Sequence, residues 1–66
     1  MYIEFLIKKT RNDKNITLSA LSKKCGVSAS HISDIENNLK MPSLMVMVKI
    51  AKALNVSISE LYNVEW

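Results

Sequence analysis

The chain has little of most residues that carry chemistry. Its 66 residues include one Cys, one His, one Trp, one Pro and one Gly. A lone Cys25 excludes an internal disulfide, and one Cys with one His cannot complete a zinc site. In a helical pattern Cys25 is expected to be a small buried apolar residue. No converging pair of carboxylates accompanies His31, which leaves nothing for covalent or acid–base catalysis. An enzyme is therefore not expected, nor is a cofactor, a metal or a small-molecule ligand. Long apolar runs are missing too. The longest, residues 44–48, is far too short to span a bilayer, and no charged segment followed by an apolar one opens the chain. The expected setting is the cytoplasm, with no membrane partner. There is no linker, repeat or low-complexity stretch, so residues 1–66 read as one domain, near the lower size limit for a core without staples.

Acidic residues are the scarcer charge, and unevenly so. The net charge is +3; residues 1–40 hold seven Lys or Arg against four acids, whereas residues 41–66 hold two of each. The basic excess lies in the N-terminal part, as for a polyanion-binding face or a merely solvated helix surface.

What is present is helical periodicity. The spacing predicts a first helix over about residues 3–13 with Ile3, Leu6 and Ile7 inward, and no run alternates long enough for a strand. Thr17 reads as the N-cap of a second helix burying Leu18 and Leu21, and Ser28 as the cap of a third burying Ile32 and Ile35. Ser43 caps a fourth, with Leu44, Met47, Val48, Ala51 and Leu54 inward, and Ser57 a short last one, "ISELY". The fold class is all-α. Asn15, Asn38 and Asn55 fall where predicted helices end, and Asn best replaces Gly in the left-handed conformation that closes helices. That glycine is kept only at Gly26 predicts the tightest corner there, with two helices too close for a β-carbon.

Counted from Leu18, the small Ser22, then Gly26, and the apolar Leu21, Cys25, Val27, Ile32 and Ile35 have the spacing of a helix-turn-helix. Ser28, Ala29, Ser30, Ser33 and Asp34 then face outward, on a helix able to set its N-terminal residues against base edges in a major groove.

The stretches "LSALSKKCGVSASHISDIEN" and "PSLMVMVKIAKALNVSISELY" closely resemble the Cro and phage-repressor family, the XRE-type helix-turn-helix regulators, over about residues 3–62. The resemblance implies a compact five-helix, lambda-repressor-like bundle that binds double-stranded DNA as a homodimer on two-fold-related half-sites. It implies an ion pair between Arg11 and Glu36, tying helix one to the end of helix three. It also implies phosphate contacts at the amides of Thr17 and Leu18 and at Asn37, Asn38, Lys40 and Ser43, with Lys23 and Lys24 adding longer-range attraction. Three positions depart from the pattern: Leu18 where glutamine is usual, Thr10 where leucine is, and a helix-three face without Arg, Gln or Asn. Bidentate readout of guanine or adenine by those side chains is therefore lost on that face, leaving serine hydroxyls, Ala29 for a thymine methyl and Asp34 for cytosine N4.

The C-terminal residues 56–66 are the candidate dimerisation segment: Val56, Ile58, Leu61, Tyr62, Val64 and Trp66 are many apolar groups for a chain end. Packing within the chain against Tyr2 and Phe5 is the alternative. The function that follows is a DNA-binding transcriptional regulator, a repressor occupying an inverted-repeat operator. The alternative is an antitoxin or another module of the same fold that grips a regulatory protein partner, with DNA binding secondary.

Overall fold

The computed structural model describes residues 1–66. Four α-helices are arranged around one apolar cluster: α1 (Ile7–Asp13), α2 (Leu18–Cys25), α3 (Ala29–Glu36) and α4 (Leu44–Leu54). A 3-10 turn, Ile58–Leu61, follows. The two chain ends form strands, β1 (Tyr2–Phe5) and β2 (Tyr62–Glu65), paired antiparallel from Tyr2 opposite Glu65 to Phe5 opposite Tyr62. The fold is thus mostly helical with a two-stranded ribbon, rather than five helices. None of the helices is long and apolar enough to cross a membrane.

The caps explain the helix starts. Thr17 and Ser43 sit in extended backbone and accept from the amides of Ala20 and Val46, both at 3.1 Å; Ser28 accepts from His31 N at 3.2 Å. The ends use left-handed residues. Asn15, Asn38 and Asn55 have φ of 56°, 61° and 57°, and Gly26 has φ of 74°. At Gly26 the need is conformational only, because an added Cβ would meet nothing within 4 Å. The expected close approach of two helices there does not occur. The tightness comes instead from Ser22, whose Oγ donates to the Val27 carbonyl at 2.7 Å across the corner.

Nine apolar residues form the buried core: Ile7, Leu21, Ile32, Ile35, Met47, Ile50, Ala51, Leu54 and Leu61. No polar side chain is buried with them. Two expected inward residues of α4 point out instead: Leu44 is 73% exposed and Val48 41%. The inward stripe runs through Met47, Ile50, Ala51 and Leu54, and Ile50 was not anticipated. α4 is apolar nearly all round, so periodicity alone could not fix which face it buries. Ile3, expected inward on a helix, lies in β1 and is 36% exposed, while Cys25 is half-buried.

The 3-10 turn is anchored by Glu60, whose carboxylate accepts from the Ser57 backbone N–H at 2.7 Å and from its hydroxyl at 3.1 Å. The backbone bond, then the hydroxyl, holds the Glu60 carboxyl below its ordinary pKa. A depressed folded-state pKa stabilises the fold above the ordinary glutamate range and stops doing so as pH falls through the lowered value. Glu60→Gln should therefore unfold at a slightly lower temperature than the parent at neutral pH, and the gap should close in acid. Parallel melts across that pH range check this; a gap independent of pH would show that the charge is not what matters.

Candidate nucleic-acid interface

α3 packs across α2 with Ile32 and Ile35 fully buried, which turns the other side of the helix to solvent. Of the outward residues, Ser28 and Ser30 are exposed, and Ala29, Ser33 and Asp34 are half-buried. Their hydroxyls are not equivalent. Ser28 Oγ is occupied as the cap of α3, and Ser33 Oγ accepts from Asn37 Nδ2 at 3.4 Å. Ser30 has no bond within the protein, so its hydroxyl is free to donate and to accept.

Asp34 is not free either. Its carboxylate lies 3.6 Å from Lys40 Nζ, a pairing that sequence reasoning missed. The left-handed Asn38 folds the chain back after α3, and Leu39 N donates to the Asp34 carbonyl at 2.8 Å, which brings Lys40 round. Both partners are substantially exposed, so the pair is weak and easily exchanged for other contacts.

Arg11 and Glu36 meet in a bidentate pair. Arg11 Nε donates to Glu36 Oε2 at 2.9 Å and Nη2 to Oε1 at 3.2 Å, while Nη1 donates to the Ile16 carbonyl at 3.0 Å. The side chains are only 11% and 5% exposed. Glu36 ends α3, where the helix dipole disfavours an anion, and the guanidinium offsets this. The three bonds join the last turn of α1, the segment leading into α2, and the end of α3. They fix α3 relative to the N-terminus of α2. There, beyond the Thr17 cap, the first backbone N–H groups have no partner inside the helix and suit a phosphate oxygen. Asn37, Asn38, Lys40 and Ser43 are all exposed on the chain that leaves α3.

The C-terminal segment differs from expectation. Leu61 is fully buried in the core of its own domain, and its carbonyl accepts from Leu6 N at 2.7 Å, so it cannot contact a second subunit. Val56 and Ile58 pack against the same core, and Val64 is half-buried in the ribbon opposite Ile3. Tyr62 remains 38% exposed. Trp66 is 95% exposed, packed against neither Tyr2 nor Phe5. Packing within the chain, on the core and against β1, accounts for most of the segment.

The helix-turn-helix family model matches residues 7–61. The HTH-type transcriptional regulator SinR of Bacillus licheniformis is 41% identical over 58 residues, covering 86% of this chain and 52% of that protein. The immunity repressor protein of Bacillus phage phi105 is 32% identical over 59 residues, covering 89% of this chain and 41% of the repressor. Among solved structures, the N-terminal DNA binding domain of SinR from Bacillus subtilis superposes with a TM-score of 0.75 at 41% identity, covering 80% of this chain and 78% of that one. The chain spans about half the length of SinR.

Proposed function

This chain belongs to the helix-turn-helix family, and from that premise we propose that it is a DNA-binding transcriptional regulator that represses by occupying an inverted-repeat operator as a dimer. The observation that carries the reading is the bidentate Arg11–Glu36 pair, which ties the end of α3 to the segment leading into α2, where the Leu18 and Ser19 amides have no partner inside the helix. A helix that presents short side chains can approach the groove floor closely, and the neighbouring amides take the backbone phosphate that sets its register.

In this reading α3 enters the major groove by its N-terminal end. Ser30 offers a hydroxyl to a base edge and Ala29 a methyl contact to thymine. Lys40 leaves Asp34 for a phosphate, and the released Asp34 accepts from cytosine N4 where the sequence provides one. Until that exchange the carboxylate stays neutralised by Lys40, which limits its repulsion of the DNA backbone. Short side chains discriminate less than Arg or Gln, so DNA shape and half-site spacing contribute to the preference. The similarity to a phage immunity repressor and to SinR supports regulation of transcription. Occlusion of a promoter in the cytoplasm needs nothing beyond binding.

Selection from random duplexes at two salt concentrations tests the reading. An inverted repeat should be enriched, with half-site centres about 10 base pairs or a multiple apart. Enrichment of nothing, with residual binding lost in modest salt, would leave only a generic polyanion surface.

A further inference from the structure

α2 and α4 pack against each other, and together they carry four lysines and no carboxylate. Lys24, Lys49 and Lys52 stand around a single depression of about 430 Å³ between the two helices, with Cys25 and Ala53 as its floor. All three lysines are exposed. None has an acidic partner, because the ion pairs of the chain join Arg11 to Glu36 and Lys40 to Asp34. The helix dipoles suit Lys24 and Lys52, which lie in the last turns of α2 and α4. Lys49 stands before the last turn of α4 and gains little from that dipole. Three like charges around one hollow repel one another, and the field they focus there attracts an anion of several charges.

We propose that this depression binds the phosphate chain of a small oligophosphate, either inorganic or carried by a nucleoside. Lysine suits that role: it is a mobile point charge that follows a flexible chain of phosphates, where arginine prefers a fixed planar partner. The volume falls in the range of small-ligand sites. No aromatic ring, side-chain amide or hydroxyl lines it, so the site reads phosphate and leaves a base or sugar unread. The amides offered to the operator backbone begin α2, whereas Lys24 lies about 9 Å further along that helix. Lys49 and Lys52 lie about 8 and 12 Å past the start of α4. Ligand and operator therefore take opposite ends of the same helices. The sequence alone does not signal such a ligand, because Lys24 meets Lys49 and Lys52 only when α2 packs on α4. One consequence rests on the DNA-binding reading. A bound triphosphate outweighs the chain's net charge of +3 and removes attraction that draws it to DNA. Occupancy should then weaken operator binding, and by linkage DNA should weaken the ligand equally.

Calorimetric titration with inorganic tripolyphosphate, at fixed ionic strength and without divalent cations, reads the site directly. The parent should bind a single equivalent, and a nucleoside triphosphate should bind comparably. Lys24→Gln, Lys49→Gln and Lys52→Gln combined should weaken binding at least about 10-fold, at roughly two- to fivefold for each exposed cation. Lys8→Gln, Lys9→Gln and Lys14→Gln combined remove as much charge from α1 and its end, and should keep the parental affinity. All six positions are exposed, so both proteins should fold, which circular dichroism checks. A parent that does not bind overturns the proposal, as does sulfate binding of equal strength, or an equal loss in the two triple variants. Operator duplexes separate the two readings. Tripolyphosphate should weaken duplex binding by the parent more than by the variant at Lys24, Lys49 and Lys52; an equal effect on both overturns the coupling. If the parent binds tripolyphosphate but no duplex, the DNA reading fails while the anion site stands.

Discussion

Replacing Glu36 by alanine should destabilise the fold by about 3 kcal/mol, the low end for breaking a buried pair, and lower the melting temperature by roughly 12–24 °C. The reason is what remains. Arg11 keeps its bond to the Ile16 carbonyl but loses both oxygens that answer its charge, in a site where it is 11% exposed. A domain of this size has a total stability of only about 3–10 kcal/mol, so the variant stands near the edge of folding at ambient temperature. Arg11→Met combined with Glu36→Leu should recover most of the loss, because apolar side chains leave no uncompensated charge. Denaturant melts of the three proteins decide the matter. A Glu36→Ala protein within about 1 kcal/mol of the parent would make the pair an ordinary surface contact.

Ser30→Glu should do the reverse: leave stability intact and remove DNA binding, by at least about 100-fold. Ser30 is exposed, bonds nothing, and lies in the first turn of α3, where an added acid interacts favourably with the helix dipole. In the groove the same charge would stand among phosphates with no lysine to neutralise it, and like charges brought together on binding cost several kcal/mol. Asp34 shows the contrast, since its own carboxylate has Lys40 at 3.6 Å. Equilibrium binding to the selected operator, with a melt of the same preparation, separates the two effects. Binding within a few-fold of the parent would mean that α3 does not face the DNA.

The parts of this molecule that are local in sequence were readable there. Thr17, Ser28 and Ser43 announce helix starts because a capping hydroxyl acts on an amide three residues away. Asn15, Asn38, Asn55 and Gly26 announce the corners because few residues tolerate positive φ. What escaped depends on distant partners. "YIEF" and "YNVE" are four residues each, and the first was absorbed into a helical pattern by Ile3, Leu6 and Ile7 at helical spacing. Only pairing between the two ends of the chain makes them strands, and no local window contains both. The face that α4 buries escaped for another reason: with Leu44, Met45 and Val48 on one side and Met47, Ile50 and Leu54 on the other, either side could have been the core. Of the candidate interface, the exposure of Ser28 and Ser30 on α3 followed from spacing. The Arg11–Glu36 pair was accessible only through family resemblance, since nothing in the intervening 24 residues signals it. The Asp34–Lys40 pair needed the three-dimensional path of the chain around Asn38.

The ribbon also sets an order of events. Bringing Tyr2 to Glu65 closes a loop of nearly the whole chain, an entropic cost of about 4 kcal/mol that four residues per strand, mostly exposed, cannot offset by themselves. The helices must first gather Ile7 and Leu61 into the core, after which the ends are already neighbours and the strands zip from Phe5 and Tyr62 outward. β1 and β2 should therefore form last and fray first, and hydrogen exchange should find the ribbon amides less protected than those of α2 and α3. Ile3 and Phe5, which line two apolar depressions beside residues 38–44, lie on that late element. A chain still short of its final step thus lacks those depressions, and any contact made on these two side chains in the folded chain would draw the frayed ends shut by mass action.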